Sequence, residues 1–308
     1  MKNFTKTLFF VAAILFFAAC EPLVVPEPEP EQPIGTDPVE RMLLLEKFTG
    51  DECIYCPWGA EDIAAGIQGN EDRVILVAHH VGYNEDRFTI IESRPLKFFY
   101  GSGSTYAPAA MLDRTVIRGS VPVMDTEYVT KSRVKAQLDK PSYVTIDLKT
   151  TYDASTKELK VDVAGELREA YPNAKLNVYI IQDNIIARQA AYVDEAGKLV
   201  TLEDAQSGNY TGEPTAQFYQ NYNHRNTLRA VLTETEWGDQ IGAETTARYS
   251  KSYTYTIPSA IKGVKNISIP TDVNNMYVVA FVADYIDNTA ANRKNSEVHN
   301  AAIKKILE

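Results

Sequence analysis

Apolar and polar positions follow two regimes along this chain. From Val39 to about Asp139, short unbroken apolar runs alternate with segments of helical spacing. The run "VERMLLLEKF" reads as a buried strand. After "TGDE", the residues Cys56, Ala60, Ile63, Ala64 and Ile67 share one helical face. Asp51 and Glu52 precede that face and Gly69-Asn70 follows it, so the spacing predicts a helix bounded at both ends. "RVILVAHHV" (73–81) predicts a second buried strand, and "RPLKFFYGSGS" a short helix and loop. "YAPAAMLDRTVI" predicts a third strand entered through Pro108, and "MDTEYVTKSRVKAQLD" a closing helix that ends near Asp139. This alternation favours an α/β domain of about 100 residues.

From Pro141 the period changes to two. "SYVTIDLKTTYD" sets Val144, Ile146 and Leu148 against Thr145, Asp147 and Lys149. "KELKVDVAGEL" and "AKLNVYIIQDN" repeat the alternation, with "YDASTKE" as a hairpin connection. "YSKSYTYTIP" and "NMYVVAFVADY" supply later strands. The pattern predicts an antiparallel, immunoglobulin-like sandwich without an inter-sheet disulfide. Between Ala187 and Ala247 it is less regular, and long irregular stretches often carry function. Tyr210, Phe218, Tyr219, Tyr222 and Trp237, set among Asn and Gln, fit either a sugar or peptide surface or an insertion packed by its own aromatics. Tyr219 and Tyr222 are the candidate contacts.

The N-terminus has a different logic. Lys2 and Lys6 precede an apolar run from Leu8 to Ala19 that ends at Cys20. A charged start and an apolar stretch too short to span a bilayer read as a signal peptide. "FFAAC" resembles a bacterial lipobox, which implies cleavage before Cys20 and acylation of that residue; the alternative is a plain secretory signal. Several acyl chains would anchor the protein in a membrane, at about 0.8 kcal/mol for each buried methylene. "EPLVVPEPEPEQPIGTDP" then reads as an extended spacer reaching about 55 Å. The expected segments are 1–19 signal peptide, 20–38 lipidated tether, 39–140 α/β domain and 141–308 sandwich.

At 308 residues, with 44% hydrophobic and 23% charged side chains, the chain is long enough for two packed domains. Its net charge of −10 argues against a nucleic-acid partner, which needs a basic footprint. It carries no Gly-rich phosphate loop, no HExxH and no GxSxG, and no cofactor is expected.

The candidate chemistry lies in "FTGDECIYCPWGAED", where Cys53 and Cys56 sit at the predicted strand-to-helix junction. Three readings apply. As a staple, the pair closes a minimal loop worth roughly 2 kcal/mol in the chain-entropy model. As a metal site it lacks partners, because a zinc centre needs about four ligands and no second CxxC or HxxxH exists. His79 and His80 are neighbours on a strand and point to opposite faces, so at most one could join. As a redox pair, Cys53 at the helix N-cap would be the nucleophile, its thiolate favoured by the helix dipole. Cys56, one turn on, would resolve the mixed disulfide. One of the two histidines also reads as a core or edge residue bonded to backbone. Trp58 and Tyr55 read as packing beside the pair or gripping a peptide.

The order of elements over roughly 40–140, with CxxC before a helix and Pro108 before a later strand, resembles the thioredoxin fold. The resemblance implies that Pro108 is a cis-proline facing the cysteines. Two positions depart from that fold's pattern: Ile54-Tyr55 replaces Gly-Pro, and Lys47 stands where a buried carboxylate is usual. Taken with the lipobox, the Pro/Glu tether and the trailing sandwich, the chain resembles the outer-membrane-protein-28-related lipoproteins of Bacteroidota. Its sharpest motif is "FTGDECIYCPWG"; in "HRNTLRAVL", His224, Leu228 and Arg229 agree with a second family motif. The resemblance implies a lipid-anchored outer-membrane protein on the periplasmic or cell-surface side. Two functions follow: thiol–disulfide exchange with a protein disulfide substrate and a redox partner, or surface binding and adhesion through Tyr-rich loops.

Overall fold

The apolar run after Val39 forms strand β1 (Leu43–Phe48), and all six of its residues are buried. The computed structural model describes residues 32–307. Helix α1 (Cys56–Ile67), β2 (Val74–His79), β3 (Ala109–Leu112), β4 (Met124–Asp125) and helix α2 (Lys131–Leu138) follow. The second half contains β5 (Asp147–Asp153), β6 (Glu158–Leu167), β7 (Ala174–Gln182), β8 (Ile185–Val193), the short helix α3 (Leu202–Ser207), β9 (Thr215–His224) and β10 (Thr227–Val231). After these come β11 (Asp239–Gln240), β12 (Ala247–Thr256), β13 (Ala260–Lys262), β14 (Ser268–Pro270), β15 (Met276–Asp284) and β16 (Val298–Lys305). Among the described residues, no helix is long and apolar enough to cross a membrane.

Strand pairing decides the architecture. β1 runs parallel to β2, with Lys47 beside Ala78, and antiparallel to β3, with Lys47 beside Ala110. On its other edge β2 takes β10, which places Thr227 beside Ala78. β10 pairs with β7, β7 with β15, and β15 with β16. One sheet therefore runs from β16 through β15, β7, β10, β2, β1 and β3 to β4. It coils back on itself, since Leu44 and Ile75 share a core with Tyr179 and Phe281, from strands well along the sheet. Near the start of β1, the Met42 N–H donates to Asn300 Oδ1 at 2.9 Å, which brings β16 close to β1.

Each face of this sheet is covered. α1 and α2 lie over Leu43, Leu45 and Ala110 through Ile63, Val134 and Leu138. The three-stranded sheet β12-β6-β5 packs Leu159, Val161 and Val163 on Leu176, Val178 and Val278 of β7 and β15. Burying each such side chain stabilises the fold by about 1.5–3 kcal/mol. β7 is buried nearly throughout because it has a core on both faces.

The expected fold class, a thioredoxin-like α/β domain followed by a separate immunoglobulin-like sandwich, is corrected. The structure is one β-rich, sandwich-like fold, only 16% helical, with no clear thioredoxin α/β domain. The strands of the first segment are hydrogen-bonded into the sheet that the later strands build. Helix α1 covers the predicted span, but the other two helical segments differ from the expectation. "RPLKFFYGSGS" lies largely in a 3-10 stretch (Ile91–Tyr100), and the third strand shrinks to Ala109–Leu112. α2 starts only at Lys131, because Thr130 caps it by accepting the Arg133 N–H.

Candidate functional site

β1 ends in a tight turn that sets the two cysteines. The Thr49 N–H donates to His79 O at 3.0 Å, the Cys53 N–H to Gly50 O at 3.2 Å and the Cys56 N–H to Cys53 O at 3.2 Å. Cys53 and Cys56 form a disulfide, with Cα atoms 5.4 Å apart. Residue exposures are 4% for Cys53 and 2% for Cys56. α1 starts at Cys56, with Tyr55 as N-cap and Pro57 in the first turn, a position where proline costs no hydrogen bond. Cys53 thus sits two residues before the N-cap, not at the cap as the spacing predicts.

The loop before β3 closes over this turn. The Ala107–Pro108 bond is cis, and the Ala107 carbonyl oxygen lies 3.5 Å from Cys53 Sγ. In the disulfide that sulfur has no hydrogen to donate, and reduction would supply one. Pro108 also packs against Gly59 so closely that a Cβ there would overlap its ring.

The stretch 187–247, read as an irregular insertion, supplies the cover. β8 and β9 form a hairpin of their own. From β8, the buried Gln189 side-chain amide donates to the carbonyls of Gly50 at 3.0 Å and Cys53 at 2.9 Å. The Ala190 N–H donates to Asp51 O at 2.7 Å. Trp58 stacks on Tyr192 with ring centroids 5.2 Å apart, and its indole N–H donates to Val200 O at 2.8 Å. The Tyr55 and Tyr192 hydroxyls lie 3.4 Å apart, and Tyr55 remains 49% exposed. No sequence signal marks Gln189; an alternating strand register alone could have singled it out.

The predicted aromatic group divides. Tyr210 lines a small pocket of about 210 Å³ with Trp58 and Tyr192. Tyr219 and Tyr222 lie on β9, not in loops, and both are half-buried. Tyr222 contacts the His224 ring and lines a different cavity, described below. Trp237 is buried against Phe99 and Tyr285, in a core it shares with Phe48 and Met111. Cys20 lies outside the described residues.

Two buried charge networks flank the turn. His79 and His80 do point to opposite faces, yet both bond to carboxylates and neither ring to backbone. On one face, His79 Nε2 lies 3.1 Å from Glu46 Oε1, and Arg114 grips Glu46 through Nε at 2.8 Å and Nη2 at 2.9 Å. Burial would raise the Glu46 pKa, but the Arg114 guanidinium and His79 hold it at about 2. On the other face, His80 Nδ1 lies 2.6 Å from Asp86 Oδ2, which also accepts the Asp51 N–H at 2.6 Å. Asp51 meets the Arg87 Nε at 2.6 Å; burial and the Asp86 charge push its pKa up. His224 is depressed to about 3 by burial and by the charge of His80. Lys47, on the face toward α1, is lowered to about 8 by burial. Among the described residues, no cluster of three or more His, Cys, Asp and Glu side chains is placed to hold a metal ion.

The profile of one family, outer membrane protein Omp28, matches residues 98–305. The chain belongs to the Omp28 family. The matched segment holds the Pro108 loop and the β8–β9 hairpin, whereas the Cys53–Cys56 pair precedes it. Family membership supports an outer-membrane location. No curated protein matches the chain. Among solved structures, HBP35 of Porphyromonas gingivalis is similar over 87% of this chain and 76% of its own, with 18% identity and a TM-score of 0.57. That likeness is one of fold. A protein of Agrobacterium tumefaciens aligns over 88% of this chain and 97% of its own, with 14% identity and a TM-score of 0.42.

Proposed function

We propose that this Omp28-family protein is a lipid-anchored thiol–disulfide exchange protein of the outer membrane, acting on envelope or surface proteins through Cys53 and Cys56. The observation that carries the reading is the disulfide itself, formed across a four-residue turn and held by backbone and Gln189 hydrogen bonds. A loop that small adds only about 2 kcal/mol as a staple. In the reduced protein, the Cys53 thiolate attacks a substrate disulfide and expels one substrate thiolate. The Cys56 thiolate then attacks Cys53 Sγ, expels the second and leaves the Cys53–Cys56 disulfide, so two electrons pass to the substrate. The reverse sequence oxidises a substrate dithiol. Tyr55 and Trp58 flank the site as the contact surface for the substrate chain. Anchoring rests on the Cys20 motif, and acylation there would put this chemistry at the membrane.

The test is the reduction potential of the chain from Ile34 onward, equilibrated in glutathione buffers and read by alkylation and mass. The expected value lies between about −120 and −270 mV, the range of working exchange proteins. A value below about −300 mV, with no mixed disulfide trapped by Cys56→Ala, would overturn the reading. For the anchor, Cys20→Ala is expected to move the protein from the membrane to the soluble fraction.

A further inference from the structure

Between α1 and β2 lies a cleft of about 420 Å³, within the range of small-molecule sites. Its long walls are apolar: Ala60, Ala64 and Ile67 from the helix, Val74, Leu76 and Ala78 from the strand. One end is polar, where Lys47, Gln189, Tyr222 and His224 converge.

The charged and titratable groups lining this cleft differ in one respect. Glu71 accepts the Gly69 N–H, Arg225 is paired with Asp183, and His80 with Asp86. His224 is bonded to the Arg188 carbonyl, and Tyr222 lies against its ring. Lys47 is only 9% exposed, and its amine has no ion-pair or hydrogen-bond partner among the described residues. A buried cation left without a counter-charge is costly, and a charged ligand group would remove that cost. The chain as a whole is acidic, so this cation is a local feature of the cleft.

We propose that the cleft binds an amphiphilic monocarboxylate, its carboxylate paired with Lys47 and its alkyl chain lying between α1 and β2. The wall from Val74 to Ala78 is about 13 Å long at the rise of a strand, which suits a chain of roughly ten carbons. This site takes a different ligand from the disulfide and stands whether or not Cys53 and Cys56 exchange thiols.

Decanoate is the probe, titrated calorimetrically into the chain from Ile34 onward, with octanoate, decanol and decylamine as comparisons. Decanoate should bind saturably at one site, and octanoate about 15-fold more weakly, at roughly 4-fold for each of the two missing methylenes. Decylamine should not compete. Lys47→Met should weaken decanoate at least 30-fold while leaving decanol unchanged, and Ala64→Phe should weaken both. In the unsubstituted protein at pH 9, decanoate binding should take up close to one proton, seen as a buffer-dependent heat, because the carboxylate recharges the amine. Decanol binding as tightly as decanoate, Lys47→Met leaving decanoate unaffected, or no proton uptake at pH 9 would each overturn the proposal.

Discussion

The Gln189 side-chain amide donates to the Cys53 carbonyl at 2.9 Å across 136 residues of sequence. Together with its bond to Gly50 at 3.0 Å, it fastens the β8–β9 hairpin onto the cysteine turn. The hairpin is therefore the element that sets access to a disulfide that is almost fully buried.

Gln189→Leu keeps the volume and removes the donor. Two buried carbonyls would lose a partner, at a cost of about 1–3 kcal/mol in all. Part of that cost falls on local opening of the hairpin. Reduction of Cys53–Cys56 by a water-soluble phosphine is expected to accelerate about 5- to 30-fold. An unchanged rate, measured by alkylation over time, would show that the hairpin does not limit access.

The stability contributed by His224 and Glu46 is expected to fall in two stages on acidification. His224 has its folded pKa depressed from 6.5 to about 3, so the unfolded chain binds more protons between those values. Stability is complete above pH 6.5 and declines as pH falls toward 3, by a few kcal/mol. Glu46, held at about 2 against 4.5, adds a second loss as pH falls from 4.5 toward 2. Asp113, raised to about 6 by burial, works the other way between pH 6 and 3.8, so the limbs are read from urea midpoints of the protein minus those of a variant lacking the group. With His224→Gln as that variant, the difference should show the His224 limb without the Glu46 one.

Local structure was largely legible in the sequence, and tertiary placement was not. The apolar run of β1, the β5–β6 hairpin and the helix after the cysteines follow from period and turn chemistry. Strand β10 does not: "TLRAV" has no property that announces pairing with β2 at Thr227 and Ala78, and this single insertion joins what reads as two domains. The cysteine pair was found from spacing and Pro108 from the resemblance to the thioredoxin fold; the two lie together in space, through the Ala107 carbonyl beside Cys53 Sγ. Gln189 and the cleft around Lys47 were invisible, because each depends on residues far apart in the chain. Lys47 could be noted as a lysine within an apolar strand, but not that its amine lacks a partner.

α1 can approach the Pro108 loop only because residue 59 is glycine. A Cβ there would overlap the Pro108 ring and come within 3.1 Å of Thr126 Oγ1. Gly59→Ala is expected to destabilise the protein by about 1–3 kcal/mol despite the better helix propensity of alanine. The urea midpoint would report it. A stabilised variant would mean that the loop yields freely, and that Pro108 is not held against the helix beside Cys53.

Lys47 makes the opposite prediction at alkaline pH. Burial lowers its pKa from 10.5 to about 8, so above pH 8 the unfolded chain binds the proton that the folded chain has released. Stability contributed by this residue therefore rises from pH 8 toward 10.5, by about 3 kcal/mol in total. Buried tyrosines work against it at the top of that range: Tyr179 and Tyr222, both raised to about 12 by burial, favour the folded state less as pH passes 10. The comparison is cleanest between pH 7.5 and 9.5, with Lys47→Met as reference, since the tyrosine contribution is common to both proteins. The difference in unfolding free energy should shift toward the unsubstituted protein as pH rises across that window. A flat difference would mean that the amine keeps its proton, and hence that water or an anion already reaches it in the cleft.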